Sequence, residues 1–125
     1  MEAKNPLRIM VIDDENIVGN RLKSALSKDG DMVETFVSPR EALKRFTAEP
    51  FDIVVTDIRM DELDGIEVMD AVLKRSERTK VIIITGYATV EAAREALSKG
   101  AFDFIAKPFK PGDLRTIIER AAKEL

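Results

Sequence analysis

A chain of 125 residues with 45% hydrophobic content is long enough to bury one core and too short for two ordinary domains. Its 20 basic and 23 acidic residues are interspersed and leave a formal net charge of -3, which argues against direct nucleic-acid contact and against an anionic membrane surface. The absence of cysteine excludes a disulfide framework and thiol chemistry, and the absence of histidine removes histidine bases, triads and histidine-ligated zinc.

In chain order, the apolar run Leu7 to Asp13 predicts a first strand that ends in Asp13-Asp14. Ile17, Val18, Leu22, Ala25 and Leu26 then share one helical face, and Gly30 follows where a left-handed cap suits glycine. Met32 to Phe36 predicts the second strand. Ser38-Pro39-Arg40-Glu41 reads as a capping box with proline at the first helical position, opening a helix that carries Ala42, Leu43 and Phe46. Ile53 to Asp57 predicts the third strand, and Ile66, Met69 and Leu73 a helix after it. A fourth strand, Val81 to Thr85, precedes a helix with Val90, Ala93 and Leu97, closed by Gly100. Phe102 to Ala106 predicts the fifth strand and runs into Lys107. Lys110-Pro111-Gly112-Asp113 then starts a last helix with Leu114, Ile117, Ile118, Ala121 and Leu125 on one stripe.

Strand and helix patterns that alternate in this way predict an α/β domain, a parallel sheet wrapped by helices, over residues 1–125. No apolar run reaches membrane-spanning length, and residues Met1 to Pro6 lack the apolar stretch of a signal peptide, so a cytoplasmic chain without membrane contact is expected.

The strand ends carry the chemistry. The carboxyl edge of a parallel sheet is where ligands collect, and Asp13, Asp14, Asp57, Thr85 and Lys107 all fall at such ends. Three carboxylates placed together repel one another unless a cation sits among them. Mg²⁺ suits the set, because it takes a few carboxylates, keeps several waters and completes its octahedron with phosphate oxygens. A hydroxyl at Thr85 and an ammonium at Lys107 complement the remaining phosphoryl oxygens. Asp57 is then the expected nucleophile, accepting a phosphoryl group as an acyl phosphate.

In this order, Asp13-Asp14, Asp57, Met60, Asp64-Gly65, Thr85-Gly86 and Lys107-Pro108-Phe109 resemble the receiver domain of two-component response regulators over essentially the whole chain. The resemblance implies a doubly wound, flavodoxin-like (CheY-like) fold of five parallel strands in order 2-1-3-4-5 with five helices. It implies phosphorylation of Asp57 by a sensor histidine kinase, and Mg²⁺ bound by Asp14, Asp57 and the backbone carbonyl of Arg59, with Asp13 acting mainly through water. A cis Lys107-Pro108 bond is expected. So is a switch in which Thr85 moves toward the phosphoryl group and Phe104 turns inward, altering the face formed by the fourth helix, fifth strand and fifth helix. That face is the expected output surface, for an output domain or effector and for a phosphorylation-dependent homodimer. The stretches Thr85-Gly86-Tyr87-Ala88-Thr89 and Gly100 to Ile105 are most similar to receivers of regulators that also carry an ATPase domain and a DNA-binding domain, so the chain reads as a stand-alone or an excised receiver.

Three departures qualify the resemblance. Asp61 and Glu62 follow Met60 where family members often have proline, predicting a less stiff, more acidic loop. Phe104 stands where tyrosine is common, so switching rests on packing. Arg59 and Tyr87 occupy positions that tune phosphoryl lifetime, and their bulk is expected to hinder attacking water.

The same residues admit other readings. Asp13 and Asp14 taken alone fit a helix cap, Thr85 an ordinary strand residue, Lys107 a solvated lysine and Phe104 plain core. Glu91, Arg94, Glu95, Arg115, Glu119 and Arg120 fit a solvated face. A haloacid-dehalogenase-type phosphatase also uses an aspartate after an apolar strand but wants a second aspartate two residues on, where this chain has Arg59. A flavin or dinucleotide binder needs a glycine- or hydroxyl-rich loop where Asp13-Asp14-Glu15-Asn16 stands. A pseudo-receiver scaffold would not need the full set of site residues.

Overall fold

A computed structural model describes residues 6–86 and 90–125. The elements alternate without exception: β1 (Arg8–Ile12), α1 (Asn16–Ser27), β2 (Met32–Phe36), α2 (Pro39–Ala48), β3 (Ile53–Asp57), α3 (Gly65–Arg75), β4 (Lys80–Thr85), α4 (Val90–Ser98), β5 (Asp103–Ala106) and α5 (Pro111–Ala122). The strands form one parallel sheet in the order β2-β1-β3-β4-β5. Strand positions agree with the sequence reading except at the ends. Leu7, Asp13 and Phe102 lie just outside their strands and Lys80 lies inside β4.

The two sheet faces have separate cores, because successive side chains of a strand point to opposite sides. Ile9, Val11, Ile53, Val55, Ile82 and Ile84 pack under α1 and α5, against Leu22, Leu26, Leu114, Ile117 and Ile118. Met10, Ile12, Val54, Val81 and Ile83 pack under α2, α3 and α4, against Phe46, Val68, Met69 and Ala93. Covered on both faces, β3 and β4 read as continuous apolar runs rather than alternating ones. Each fully buried Ile or Val of these strands contributes roughly 1.5–3 kcal/mol of hydrophobic stabilisation. The central strands are thus buried beneath the polar groups at their carboxyl ends.

Helix punctuation corrects the sequence reading in one place. Ser38 caps α2 by accepting from the Glu41 amide at 3.2 Å, and its hydroxyl donates to Glu62 Oε1 at 2.8 Å, but the return bond from the Ser38 amide to the Glu41 side chain that would complete a capping box does not form among the described residues. A complete box instead opens α3, where Asp64 Oδ1 accepts from the Glu67 amide and Glu67 Oε1 from the Asp64 amide. Pro111 begins α5 as expected, and Gly30 and Gly100 adopt positive φ. Arg115 is not part of a solvated α4–α5 face: its guanidinium reaches back to Asp29 and to the Ala25 carbonyl, tying α5 to the end of α1.

At the amino end of the sheet, carboxylates serve the backbone. Asp31 accepts from the Leu7 amide at 3.0 Å and Asp52 from the Arg8 amide at 2.9 Å, satisfying donors that the strand ladder leaves open.

Candidate functional site

The carboxyl end of the sheet is built by ladder bonds that continue one residue past β1, β3 and β5. The Asp13 amide donates to the Phe36 carbonyl at 3.0 Å, the Ile58 amide to Ile84 at 2.9 Å and the Lys107 amide to Thr85 at 2.7 Å. Asp57 closes β3 opposite Ile84, and Thr85 closes β4 opposite Ala106. Asp13 and Lys107 are thereby fixed to the sheet, and their side chains converge with that of Asp57.

Asp13, Asp14 and Asp57 each present a carboxylate oxygen within 4.8 Å of the others. Asp13 and Asp57 are buried and Asp14 is exposed, so the cluster has a closed floor and an open side. Lys107 Nζ lies 3.1 Å from Asp57 Oδ2 and 3.2 Å from Asp13 Oδ2. The Lys107-Pro108 peptide bond is cis. Asp13 Oδ1 accepts from the Glu15 amide at 2.9 Å, and Asp57 Oδ1 from the Arg59 amide at 3.3 Å. The capping interpretation of the aspartate pair therefore fails: Asp13 bonds the turn ahead of α1, and α1 begins with no side-chain cap.

Burial pushes the Asp13 carboxyl above its ordinary value of 3.8, reinforced by the charge of Asp57 and opposed by the Glu15 amide and Lys107. For Lys107, burial alone favours loss of the proton, but hydrogen bonding and charge from Asp57, then Asp13, more than offset it and hold the ammonium well above 10.5. Asp13 Oδ2 is buried and within ion-pair range of Lys107, yet has no hydrogen bond of good geometry among the described residues. A buried acceptor of this kind, beside two further carboxylates, fits a hard cation with oxygen ligands. The acidic cluster can hold a metal ion.

Thr85 is fully buried at the neighbouring strand end, and its hydroxyl donates to the Gly86 carbonyl at 3.0 Å. Phe104, opposite Ile83 on β5, is half-buried and packs on the core beneath α2, α3 and α4. Arg59 has an exposed side chain and borders an open cleft of about 550 Å³ together with Asp14, Met60, Asp61, Asp64 and Glu95. Its acidic rim agrees with the sequence expectation for this loop. The loop is also tied down, because Glu62 reaches both Ser38 and Arg40. Tyr87 lies outside the described residues.

One neighbour escaped the sequence reading. Glu15 Oε1 lies 3.3 Å from Lys107 Nζ, a third carboxylate on the ammonium. Only its position directly after the aspartate pair hinted at this.

A family model for the response regulator receiver domain matches residues 9–119. The chain belongs to this family. Among its relatives, regulatory protein AtoC of Escherichia coli strain K12 is 41% identical over 114 residues, covering 91% of this chain and 25% of AtoC. The DNA-binding transcriptional regulator NtrC of Proteus hauseri is 31% identical over 113 residues, covering 90% of this chain and 24% of NtrC. Among solved structures, a response regulator receiver domain protein from Clostridium thermocellum superposes with a TM-score of 0.88 at 34% identity, covering 94% of both chains. The receiver domain spans about a quarter of the length of the curated relatives AtoC and NtrC. The likeness to receivers of NtrC-type regulators is borne out, as is the five-stranded receiver fold. Among the described residues no helix is long and apolar enough to cross a membrane.

Proposed function

We propose that this receiver accepts a phosphoryl group on Asp57 from a sensor histidine kinase and relays the change to an output partner. The observation that carries the reading is the convergence of Asp13, Asp14 and Asp57 within 4.8 Å, with Lys107 Nζ 3.1 Å from Asp57 Oδ2. An Asp57 carboxylate oxygen attacks phosphorus in line as the bond to the donor's imidazole nitrogen breaks, and that nitrogen keeps the electron pair. Asp57 has its Oδ1 held by the Arg59 amide, which leaves Oδ2, now paired with Lys107, as the reacting oxygen. Lys107 then passes from the carboxylate to a phosphoryl oxygen, and the Thr85 hydroxyl turns from the Gly86 carbonyl to another.

Asp13, Asp14, Asp57 and the Arg59 carbonyl would hold Mg²⁺, which supplies charge neutralisation for the dianion when bound. Thr85 and Phe104 are the switch pair. With Thr85 drawn toward the phosphoryl group, the half-buried Phe104 ring has space to turn inward, which alters the α4–β5–α5 face. Arg59 and Tyr87 set how readily water reaches the acyl phosphate, and their bulk should lengthen its life. Decay as fast as in short-lived chemotaxis receivers would refute this. The domain acts on itself alone and turns over no separate substrate. It works as one folding unit over residues 1–125 in the cytoplasm, without direct nucleic-acid or membrane contact.

Arg59 two residues beyond Asp57 supplies no acid for a haloacid-dehalogenase-type phosphatase, and the complete cluster disfavours a pseudo-receiver scaffold. The test is incubation with Mg²⁺ and either acetyl phosphate or beryllofluoride. A single adduct is expected, abolished by Asp57→Asn. No Mg²⁺-dependent adduct would overturn the reading, and turnover of phosphate esters would favour the phosphatase.

A further inference from the structure

Lys107 carries three N–H donors and faces three carboxylates: Asp57 Oδ2 at 3.1 Å, Asp13 Oδ2 at 3.2 Å and Glu15 Oε1 at 3.3 Å. The first two belong to the acidic cluster. Glu15 does not, and its side chain is 66% exposed. Its backbone is nevertheless fixed on both sides. The Glu15 amide donates to Asp13 Oδ1 at 2.9 Å, and the Glu15 carbonyl accepts from the Val18 amide at 3.0 Å in the first turn of α1. Held between the aspartate turn and the helix, Glu15 is aimed across the mouth of the site at a lysine 92 residues away.

We propose that Glu15 is a positioning residue that tethers the Lys107 ammonium in the resting state and competes with an incoming phosphoryl group for it. This rests on the phosphoacceptor reading of Asp57. A tetrahedral anion on Asp57 needs the ammonium that Asp57, Asp13 and Glu15 now share. Asp57 loses its free carboxylate in the reaction, and Asp13 would be engaged by a bound cation, so both would loosen their hold on Lys107 as part of the chemistry. Glu15 has no such exchange, and it alone remains to hold the lysine back. Its exposure makes the hold weak, because an exposed pair is screened by water and costs side-chain entropy. The tether therefore slows and weakens capture of the anion without preventing it.

The experiment uses the whole chain with Glu15→Gln and Glu15→Asp variants. Beryllofluoride affinity at fixed Mg²⁺ is read by ¹⁹F NMR, and hydrogen exchange of the Lys107 ammonium in the untreated chain by ¹⁵N NMR. Glu15→Gln should bind beryllofluoride about two- to fivefold more tightly, the range of a screened ion pair, and its ammonium should exchange faster. Glu15→Asp keeps the charge but loses one methylene of reach, so it should resemble Glu15→Gln in both readouts. Unchanged or weaker beryllofluoride binding in Glu15→Gln would overturn the tether. So would a Glu15→Asp variant that matches the parent, since the effect would then be charge at a distance. If the parent chain itself forms no beryllofluoride adduct, the phosphoacceptor reading fails, which is distinct from a parent that binds and a Glu15→Gln variant that binds equally.

Discussion

Asp13 is the residue on which the resting state and the liganded state pull hardest in opposite directions. Its side chain is fully buried, and burial raises its pKa above 3.8. Below that value the folded and unfolded chains both hold the proton; above it the folded chain keeps the proton to higher pH. Stability from this group is therefore present in acid and is lost as pH rises through the folded value. Lys107 behaves differently, since its raised pKa leaves its stabilising contribution intact below 10.5, to be lost only in more alkaline solution. Without divalent cations, Asp13→Asn should flatten the fall in stability from acid to neutral pH and raise neutral-pH stability by on the order of 1 kcal/mol, the scale of a buried acceptor without a good partner. Urea unfolding midpoints across that range check it, and a parallel fall in parent and variant would count against it. With saturating Mg²⁺ the order should reverse, because ligand binding to the folded state alone stabilises it.

At the scale of elements, the join between β3 and α3 fixes where the Asp57 carboxylate can be. Gly65 opens α3, and its amide donates to the Ile58 carbonyl at 2.9 Å. A Cβ at this position would stand 2.6 Å from the Asp57 carbonyl oxygen and 2.8 Å from Ile58 Cα, both backbone atoms that cannot swing aside. Gly65→Ala should therefore push the helix start away from the strand end, costing about 1–3 kcal/mol in a thermal melt and weakening beryllofluoride capture at Asp57. Loss of stability with unchanged capture would mean that the strain is absorbed in α3 alone. The glycine was visible in the sequence as part of the Asp64-Gly65 pair. The reason for it, close approach of two backbones, was not, because that contact joins a strand end to a helix start across a loop.

For the molecule as a whole, the proposed switch is read out on one surface. The α4–β5–α5 face carries the half-buried Phe104, the partly exposed Leu97 and an Arg120 that pairs with Asp103 and lies over the Phe102 ring. Arg120 and Asp103 already neutralise each other within one chain, so a second copy would meet that pair only by exchanging it. Beryllofluoride with Mg²⁺ should raise the sedimentation coefficient of the parent chain in a concentration-dependent way and leave Asp57→Asn unchanged. Identical sedimentation in the two states would refute the phosphorylation-dependent homodimer that the family resemblance implies.

The sequence by itself determined the alternation of strands and helices and the identity of the edge residues Asp13, Asp14, Asp57, Thr85 and Lys107, because these depend on local periodicity and on which residue ends each apolar run. Tertiary structure decided what those residues touch. At Ser38 only half of the expected box forms, its hydroxyl also donating to Glu62 from across the fold, and a complete box stands at Asp64 instead. Arg115 turned to α1 rather than to solvent. Two kinds of aspartate also separated: Asp31 and Asp52 satisfy strand amides at one edge, whereas Asp13, Asp14 and Asp57 crowd together at the other. Nor could any local pattern join Glu15 to Lys107, 92 residues apart. That contact exists only because the parallel sheet brings the ends of β1 and β5, with β3 and β4 between them, to one edge beside the start of α1.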